Sequence, residues 1–290
     1  MTIRPRRSAL YMPASNPRAI AKARELDCDV VILDLEDAVA PEKKAAAREA
    51  ACAAVREGGF GRRELVVRIN APDTEWADDD LAALGMVRPD AVLIPKVSAP
   101  GPLAEVHARL PGVPLWAMIE TPRAILDLAA IVGAAEATGL ALLVAGTNDL
   151  AKDLRCRPGE TRAPLLSILT SMVVAARAHG LAVLDGVCNA IEDEARLAAE
   201  CEQGLAWGFD GKTLIHPAQI AAANRVFTPS EAEIAWARTV VAAFEQPEHH
   251  GRGAIRVEGK MVERLHLAEA ERMLAVAEAC GARTKSARFE

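Results

Sequence analysis

The stretch VVILDLEDAV, from Val30 to Val39, runs four apolar side chains straight into Asp34, Glu36 and Asp37. A carboxylate buried without a partner is costly, so such a segment must end at water or at a cation. The same change from apolar to charged recurs along the chain. It brings Arg68 and Asn70 in LVVRINA, Lys96 in AVLIPKV and Glu120 in LWAMIET. It also brings Asn148 and Asp149 in LALLVAGTND, Asp185 in LAVLDGV and His216 in KTLIHP. Any one of these reads as a solvated loop charge. Together they read as a shared mouth in which acids and bases meet.

Glu120 and Asp149 close successive apolar runs. Neighbouring strands lie ~4.8 Å apart, and Mg2+ takes oxygen ligands at ~2.1 Å. One ion can therefore bridge the two carboxylates and keep positions for water and substrate. With no Cys/His cluster, a hard ion such as Mg2+ or Mn2+ is favoured. The competing reading of Glu120 is an acid at a helix start, meeting the dipole beside Thr121 and Pro122. Arg68 is a fork for a substrate carboxylate or oxyanion, or a buried partner for Asp37 or Glu36. His216 is a base or a group that hydrogen-bonds across its own loop. His249 and His250 read as solvent-facing, and Lys22 as part of a solvated helix face.

Eight strands are needed to position these groups. The runs predict them over Ser8–Ala14, Val30–Ala38, Leu65–Ala71, Ala91–Val97, Leu115–Thr121, Leu140–Asp149, Leu181–Val187 and Lys212–Pro217. Ala-rich helical stretches follow, with Pro at the first helical position in SNPRAI, ETPRAI and IHPAQI. Eight βα units fit a closed (β/α)8 TIM barrel, whose active site lies at the C-terminal strand ends. The open doubly wound sheet is the alternative, but no G-x-G-x-x-G follows the first strand.

Past Phe227 the pattern changes. Ser230 and Glu233 form a capping box for one helix, PEHHGRGAIRVEGKMVE reads as a flexible connector, and a last helix ends at Gly281. The expected division is a barrel domain over 1–228 and a helical extension over 229–290, packed on its own barrel or against a neighbouring subunit.

The 290 residues are 51% hydrophobic and 26% charged, with net charge -6, which argues against general nucleic-acid binding. No apolar run approaches the ~20 residues that span a bilayer. MTIRPRRSALYMP lacks the long apolar core of a signal peptide. Six scattered cysteines without C-x-x-C suit a reducing, cytoplasmic setting.

In order, LYMPASNPRAIAKA, DLEDAVAPEKKAAAR, VRIN, LIPKV, MIETP, GTNDL, GFDGKTLIHPAQI, FTPSEAE and GKMVE resemble the citrate lyase β-subunit-like group of the HpcH/HpaI aldolase superfamily, with its malyl-CoA and citramalyl-CoA lyases. The resemblance runs from about Arg7 to Ala279. It implies a (β/α)8 barrel with an added C-terminal segment, assembled as trimers or hexamers. It implies Mg2+ on Glu120 and Asp149, and Arg68 on the substrate's carboxylate or oxo oxygen. It implies acyl-CoA contacts near Tyr11, Lys22, Asn148, Ile215 and His216. Asn16 stands where members often carry Arg. Glu263 stands where members carry an Asp that reaches a neighbour's site as acid–base group, and the Pro that usually follows is replaced.

The activity so implied is Claisen cleavage of a 3-hydroxyacyl-CoA to a 2-oxo acid and acetyl-CoA. Glu263 would serve the enolate, while Asp37 and Glu36 support Arg68, Lys96 or metal waters. The alternatives are an aldolase on free 2-oxo acids, a malyl-CoA thioesterase and a citrate lyase β subunit that binds an acyl carrier.

Overall fold

Strands that are continuously Val, Ile and Leu need burial on both faces, and a closed parallel barrel supplies it. The computed structural model describes residues 4–286. Within it, β1 (Ser8–Pro13), β2 (Val30–Asp34), β3 (Glu64–Arg68), β4 (Ala91–Ile94), β5 (Leu115–Ile119), β6 (Leu140–Ala145), β7 (Ala182–Asp185) and β8 (Gly211–Leu214) pair in sequence order. All pairs are parallel, and β8 returns to β1 through Ala9 opposite Thr213. Between them run α1 (Pro17–Ala23), α2 (Lys44–Glu57), α3 (Ala77–Gly85), α4 (Pro100–Arg109) and three short helices, α5 (Pro122–Leu126), α6 (Leu128–Gly133) and α7 (Ala135–Thr138). Then come α8 (Thr147–Asp153), α9 (Leu166–Ala178), α10 (Glu194–Trp207) and α11 (Ile220–Val226). The fold is the (β/α)8 TIM barrel.

Side chains alternate across a strand. Val30, Ile32, Val66, Leu93, Trp116, Met118, Leu142, Val144 and Leu184 fill the barrel interior. Val31, Leu33, Val67, Val92, Leu143 and Val183 pack outward against the helices. This parity fixes the direction of the next polar residue. Asp34 and Arg68 continue the inward set, whereas Asp185 and Lys212 share the outward parity of Val183 and Leu214.

The strands stop earlier than their apolar runs suggest. β2 ends at Asp34, four residues before Ala38, because the Asp34 carboxylate accepts the N–H groups of Glu36 (2.9 Å) and Ala38 (3.2 Å) and turns the chain out of the sheet. β6 ends at Ala145, so Asn148 and Asp149 lie in the first turn of α8 and not on a strand. Gly146 makes the change. Its N–H still bonds the β5 carbonyl of Ile119 (3.0 Å), while its own carbonyl already accepts the helical N–H of Leu150 (3.1 Å). Pro122 and Pro17 open helices as expected, each preceded by a side-chain cap, Thr121 and Asn16; Pro217 opens a 3-10 turn.

The barrel unit spans Arg6–Phe227, and a second compact unit begins at Thr228. In that unit α12 (Glu231–Phe244) carries the Ser230/Glu233 capping box. The expected flexible connector is instead an antiparallel hairpin, β9 (Ala254–Val257) and β10 (Lys260–Glu263). Its two-residue turn, Glu258–Gly259, has φ of 47° and 81°, the sign pattern that matches strand twist. Ile255, Val257 and Val262 bury one face of it with Ala237, Val240 and Phe244. The last helix, α13 (Arg264–Ser286), passes through Gly281 rather than ending there. Glycine costs a helix only about 1 kcal/mol. No described helix is long and apolar enough to cross a membrane.

Candidate active site

The inward parity of β2 and β3 brings Asp34 opposite Arg68 in register. The pair is bidentate, Arg68 Nε to Asp34 Oδ1 and Nη2 to Oδ2, each at 2.6 Å, with both residues buried. Arg68 also lies over the Tyr11 ring, 5.0 Å from its centroid. Burial works against the guanidinium charge, but Asp34 outweighs it and raises the Arg68 pKa. The remaining nitrogen, Nη1, touches only weak or misaligned acceptors. Met118 Sδ is at 3.8 Å. Glu36 Oε2 is at 2.8 Å, an ion pair in which that oxygen receives no directed hydrogen bond. Nη1 therefore keeps donor capacity for an incoming oxyanion. The expected partner Asp37 is exposed, and Asp34 takes its place: the turn that begins at Asp34 carries Asp37 outward, where it acts on Glu36 and Lys96 through space.

Lys96 follows β4 and links two more acids. Its ammonium donates to Glu36 Oε1 at 2.8 Å, and its N–H donates to Glu120 Oε1 at 2.7 Å. Glu120 is buried (2%). A Cβ placed on Gly146 would lie 2.3 Å from Glu120 Cβ and 2.7 Å from Oε2, so the missing side chain there is what admits this carboxylate. Burial, then the charges of Glu36 and Asp149, push the Glu120 carboxyl up to about 8, against the pull of the Lys96 N–H. Glu36 is likewise raised, chiefly by burial. Asp149 is half-buried, and its partner is the exposed Lys152, at 3.1 Å.

These residues fit a hard divalent cation. Asp34 and Glu36 are paired with two cations, Arg68 and Lys96; Glu120 takes only the Lys96 N–H, and Asp149, paired with exposed Lys152, adds a fourth acid. Glu120 and Asp149 act on each other through space, and both are oxygen donors of the kind Mg2+ takes. Among the described residues no three His, Cys, Asp or Glu side chains gather closely enough to hold an ion unaided. The pair would need water or substrate oxygens to complete a shell, as Mg2+ sites built from one or two carboxylates do.

The other expected contacts are placed as follows. Tyr11 sits under Arg68, its hydroxyl buried without a hydrogen-bond partner. Asn148 exchanges amide hydrogen bonds with Asn189, at 3.3 and 2.7 Å. Ile215 is partly exposed, and its N–H donates to Gln219 Oε1 at 3.0 Å. His216 Nδ1 accepts the Ala218 N–H at 3.2 Å and forms a capping box with Gln219, so His216 caps its own loop. Lys22 is exposed in the last turn of α1, and Asn16 caps that helix. Glu263 ends β10 in the second unit, and its N–H donates to His266 Nδ1 at 2.9 Å.

Asp185 does not join the mouth. It points outward with Lys212 to a network between sheet and helix: Arg162 Nη1 at 2.7 Å, Lys212 Nζ at 3.0 Å, and Lys212 on to Glu200 at 3.2 Å. Gly204 of α10 lets the helix approach, since a Cβ there would lie 3.1 Å from Asp185 Oδ2. Two contributors escaped the sequence reading. Asp34 as the Arg68 anchor was available from strand parity, counted back from Ile32. Gly146 was signalled only by being a glycine at the end of an apolar run.

A family model described as HpcH/HpaI aldolase/citrate lyase matches residues 7–217. A (3S)-malyl-CoA thioesterase of Cereibacter sphaeroides strain KD131 is 50% identical over 278 residues, covering 96% of each chain. The human mitochondrial citramalyl-CoA lyase is 31% identical over 291 residues, covering 94% of this chain and 86% of that one. Among solved structures, the protein CitE from Mycobacterium tuberculosis in complex with magnesium, acetoacetate and coenzyme A is 34% identical. It matches with a TM-score of 0.78 over 93% of this chain and 97% of the other.

Proposed function

This chain belongs to the HpcH/HpaI aldolase/citrate lyase family, and from that premise we propose that it acts with a divalent cation on a malyl-type 3-hydroxyacyl-CoA and hydrolyses the thioester. Glu120 carries the reading: a buried acid with no side-chain cation, aimed past Gly146 beside Asp149. The relative named a malyl-CoA thioesterase, matched at 50% across 96% of both chains, favours hydrolysis over carbon–carbon cleavage.

Glu120 and Asp149 would hold Mg2+, which when bound supplies Lewis-acid polarisation of substrate oxygens. Arg68, immobilised by Asp34, offers Nη1 to the substrate carboxylate or to the oxyanion formed as water adds to the thioester carbonyl. Donors fixed in advance are worth most where charge develops. Glu263, brought by a neighbouring copy in a trimer or hexamer, would take the first proton as water adds. The carbon–sulfur bond then breaks with its electron pair on the CoA thiolate, which receives that proton, and the second proton of water leaves the new carboxyl group to solvent. Tyr11, Lys22, Asn148, Ile215 and His216 are the proposed contacts for the acyl-CoA.

Carbon–carbon cleavage to glyoxylate and acetyl-CoA is the second reading, favoured by the relative named a citramalyl-CoA lyase. The same acids and Arg68 would serve it, with Glu263 protonating the enolate. Product analysis with (3S)-malyl-CoA separates the two. Hydrolysis gives free thiol equal to substrate consumed and no glyoxylate, and EDTA stops it. Glyoxylate and acetyl-CoA in equal amounts would assign the lyase. Mixing Arg68→Ala with Glu263→Ala protein tests the shared site: hybrid oligomers regain activity only if Glu263 serves a neighbour.

A further inference from the structure

Lys96 does two things from a backbone conformation that lysine seldom adopts. Its φ is 53°, in the left-handed region. A residue with a Cβ stays there only where its surroundings over-determine it. From that position its N–H holds Glu120 Oε1 and its ammonium holds Glu36 Oε1. The Lys96 side chain is 45% exposed while Glu36 is 7%, so the cation reaches a buried acid from the solvent side. The second Glu36 oxygen lies beside Arg68 without a directed hydrogen bond. Glu36 is thus a buried carboxylate with unused acceptor capacity. It is close enough to Glu120 for its charge to be the second largest influence there, after burial.

Mg2+ asks for about six oxygens and accepts carboxylates readily. A third protein acid in the shell would fill a position that substrate needs. Glu36 is the acid placed to do so; Arg68 holds its Oε2 from inside the barrel at 2.8 Å, and the bond that restrains Oε1 is the one to Lys96.

We propose that Lys96 is a positioning residue that withholds Glu36 from the metal: its tethered ammonium occupies Glu36 Oε1, and the Glu120–Asp149 pair is thereby left open to substrate oxygens. The inference rests on reading that pair as the metal holder, and it adds how the shell is kept incomplete.

The experiment is a Mn2+ titration of the full-length protein, followed by electron paramagnetic resonance and by water-proton relaxation, with KM and kcat measured in parallel. Lys96→Met and Lys96→Gly both remove the ammonium, and the second also relieves the left-handed backbone. Both should bind Mn2+ roughly tenfold more tightly, the lower end of what a ligand's outer partners command. In both, the bound ion should carry fewer exchangeable waters, and KM for the thioester should rise more than kcat falls. Lys96→Arg should stay near wild type. Adding Glu36→Asp to Lys96→Met keeps the charge but shortens the reach, and should return affinity and water count to wild-type values. Unchanged or weaker Mn2+ binding in Lys96→Met, or an unchanged water count, overturns the proposal while leaving the metal reading in place. Wild-type protein that binds no Mn2+, or binding that survives Glu120→Gln, overturns the metal reading and the proposal together.

Discussion

Two buried ionic clusters, one outside the barrel wall and one inside its mouth, do opposite things. The outer one joins Asp185 and Glu200 to Arg162 and Lys212, with Arg196 reaching Glu200 at 3.5 Å from the solvent side and Asp185 and Lys212 wholly buried. The inner one joins Arg68 and Lys96 to Asp34 and Glu36, then adds Glu120 and Asp149. In each, a basic residue at positive φ supplies a cation, Arg162 at 52° and Lys96 at 53°. The balanced cluster fastens α10 to the sheet. The cluster with surplus acid leaves charge for something from outside to satisfy. A buried pair that loses one partner strands the other, so the balanced cluster is the one whose disruption should damage the fold.

The largest effect expected is on activity. Glu120→Gln should lower turnover by about a thousandfold or more, the scale of a lost metal contribution, with no fall in the melting temperature of metal-free protein. A fall in that temperature would make Glu120 structural and erase the contrast. Next is the outer cluster. Asp185→Asn or Lys212→Met should cost about 3–5 kcal/mol in urea unfolding, since each leaves the buried cluster one charge out of balance, while turnover per folded molecule persists. Arg68→Lys loses the planar fork to Asp34 and should reduce kcat/KM by about a hundredfold.

Stability against pH should differ as well. The native Glu120 carboxyl titrates near 8 instead of 4.5. Between those values the folded protein holds a proton that the unfolded chain has lost, so metal-free stability should decline as pH rises across that interval. Thermal melts of metal-free protein should show this, Mg2+ at the upper end should reverse it, and Glu120→Gln should flatten the curve.

Much of the frame was legible because its signals are local. Continuous apolar runs, Ala-rich helices and prolines at helix starts mark βα units wherever they occur. The capping box at Ser230 was readable for the same reason. The hairpin before Glu263 was missed, although Ile255, Arg256, Val257 and Glu258 alternate and Gly259 supplies a turn; the glycines and histidines around it masked a period of two.

The amino-acid order alone determined that charged groups would gather at one end of eight strands, because each apolar run is followed by acids or bases and parallel strands share a direction. It also singled out Glu120, Asp149 and Arg68 as candidates. Which way those groups face was decided only in three dimensions. Closure of the barrel turns one parity inward and the other toward the helices, sending Asp34 to Arg68 and Asp185 to Lys212. Gly146 ends β6 early and clears the space that Glu120 fills. Such choices depend on contacts between residues dozens of positions apart, which no short window of sequence contains.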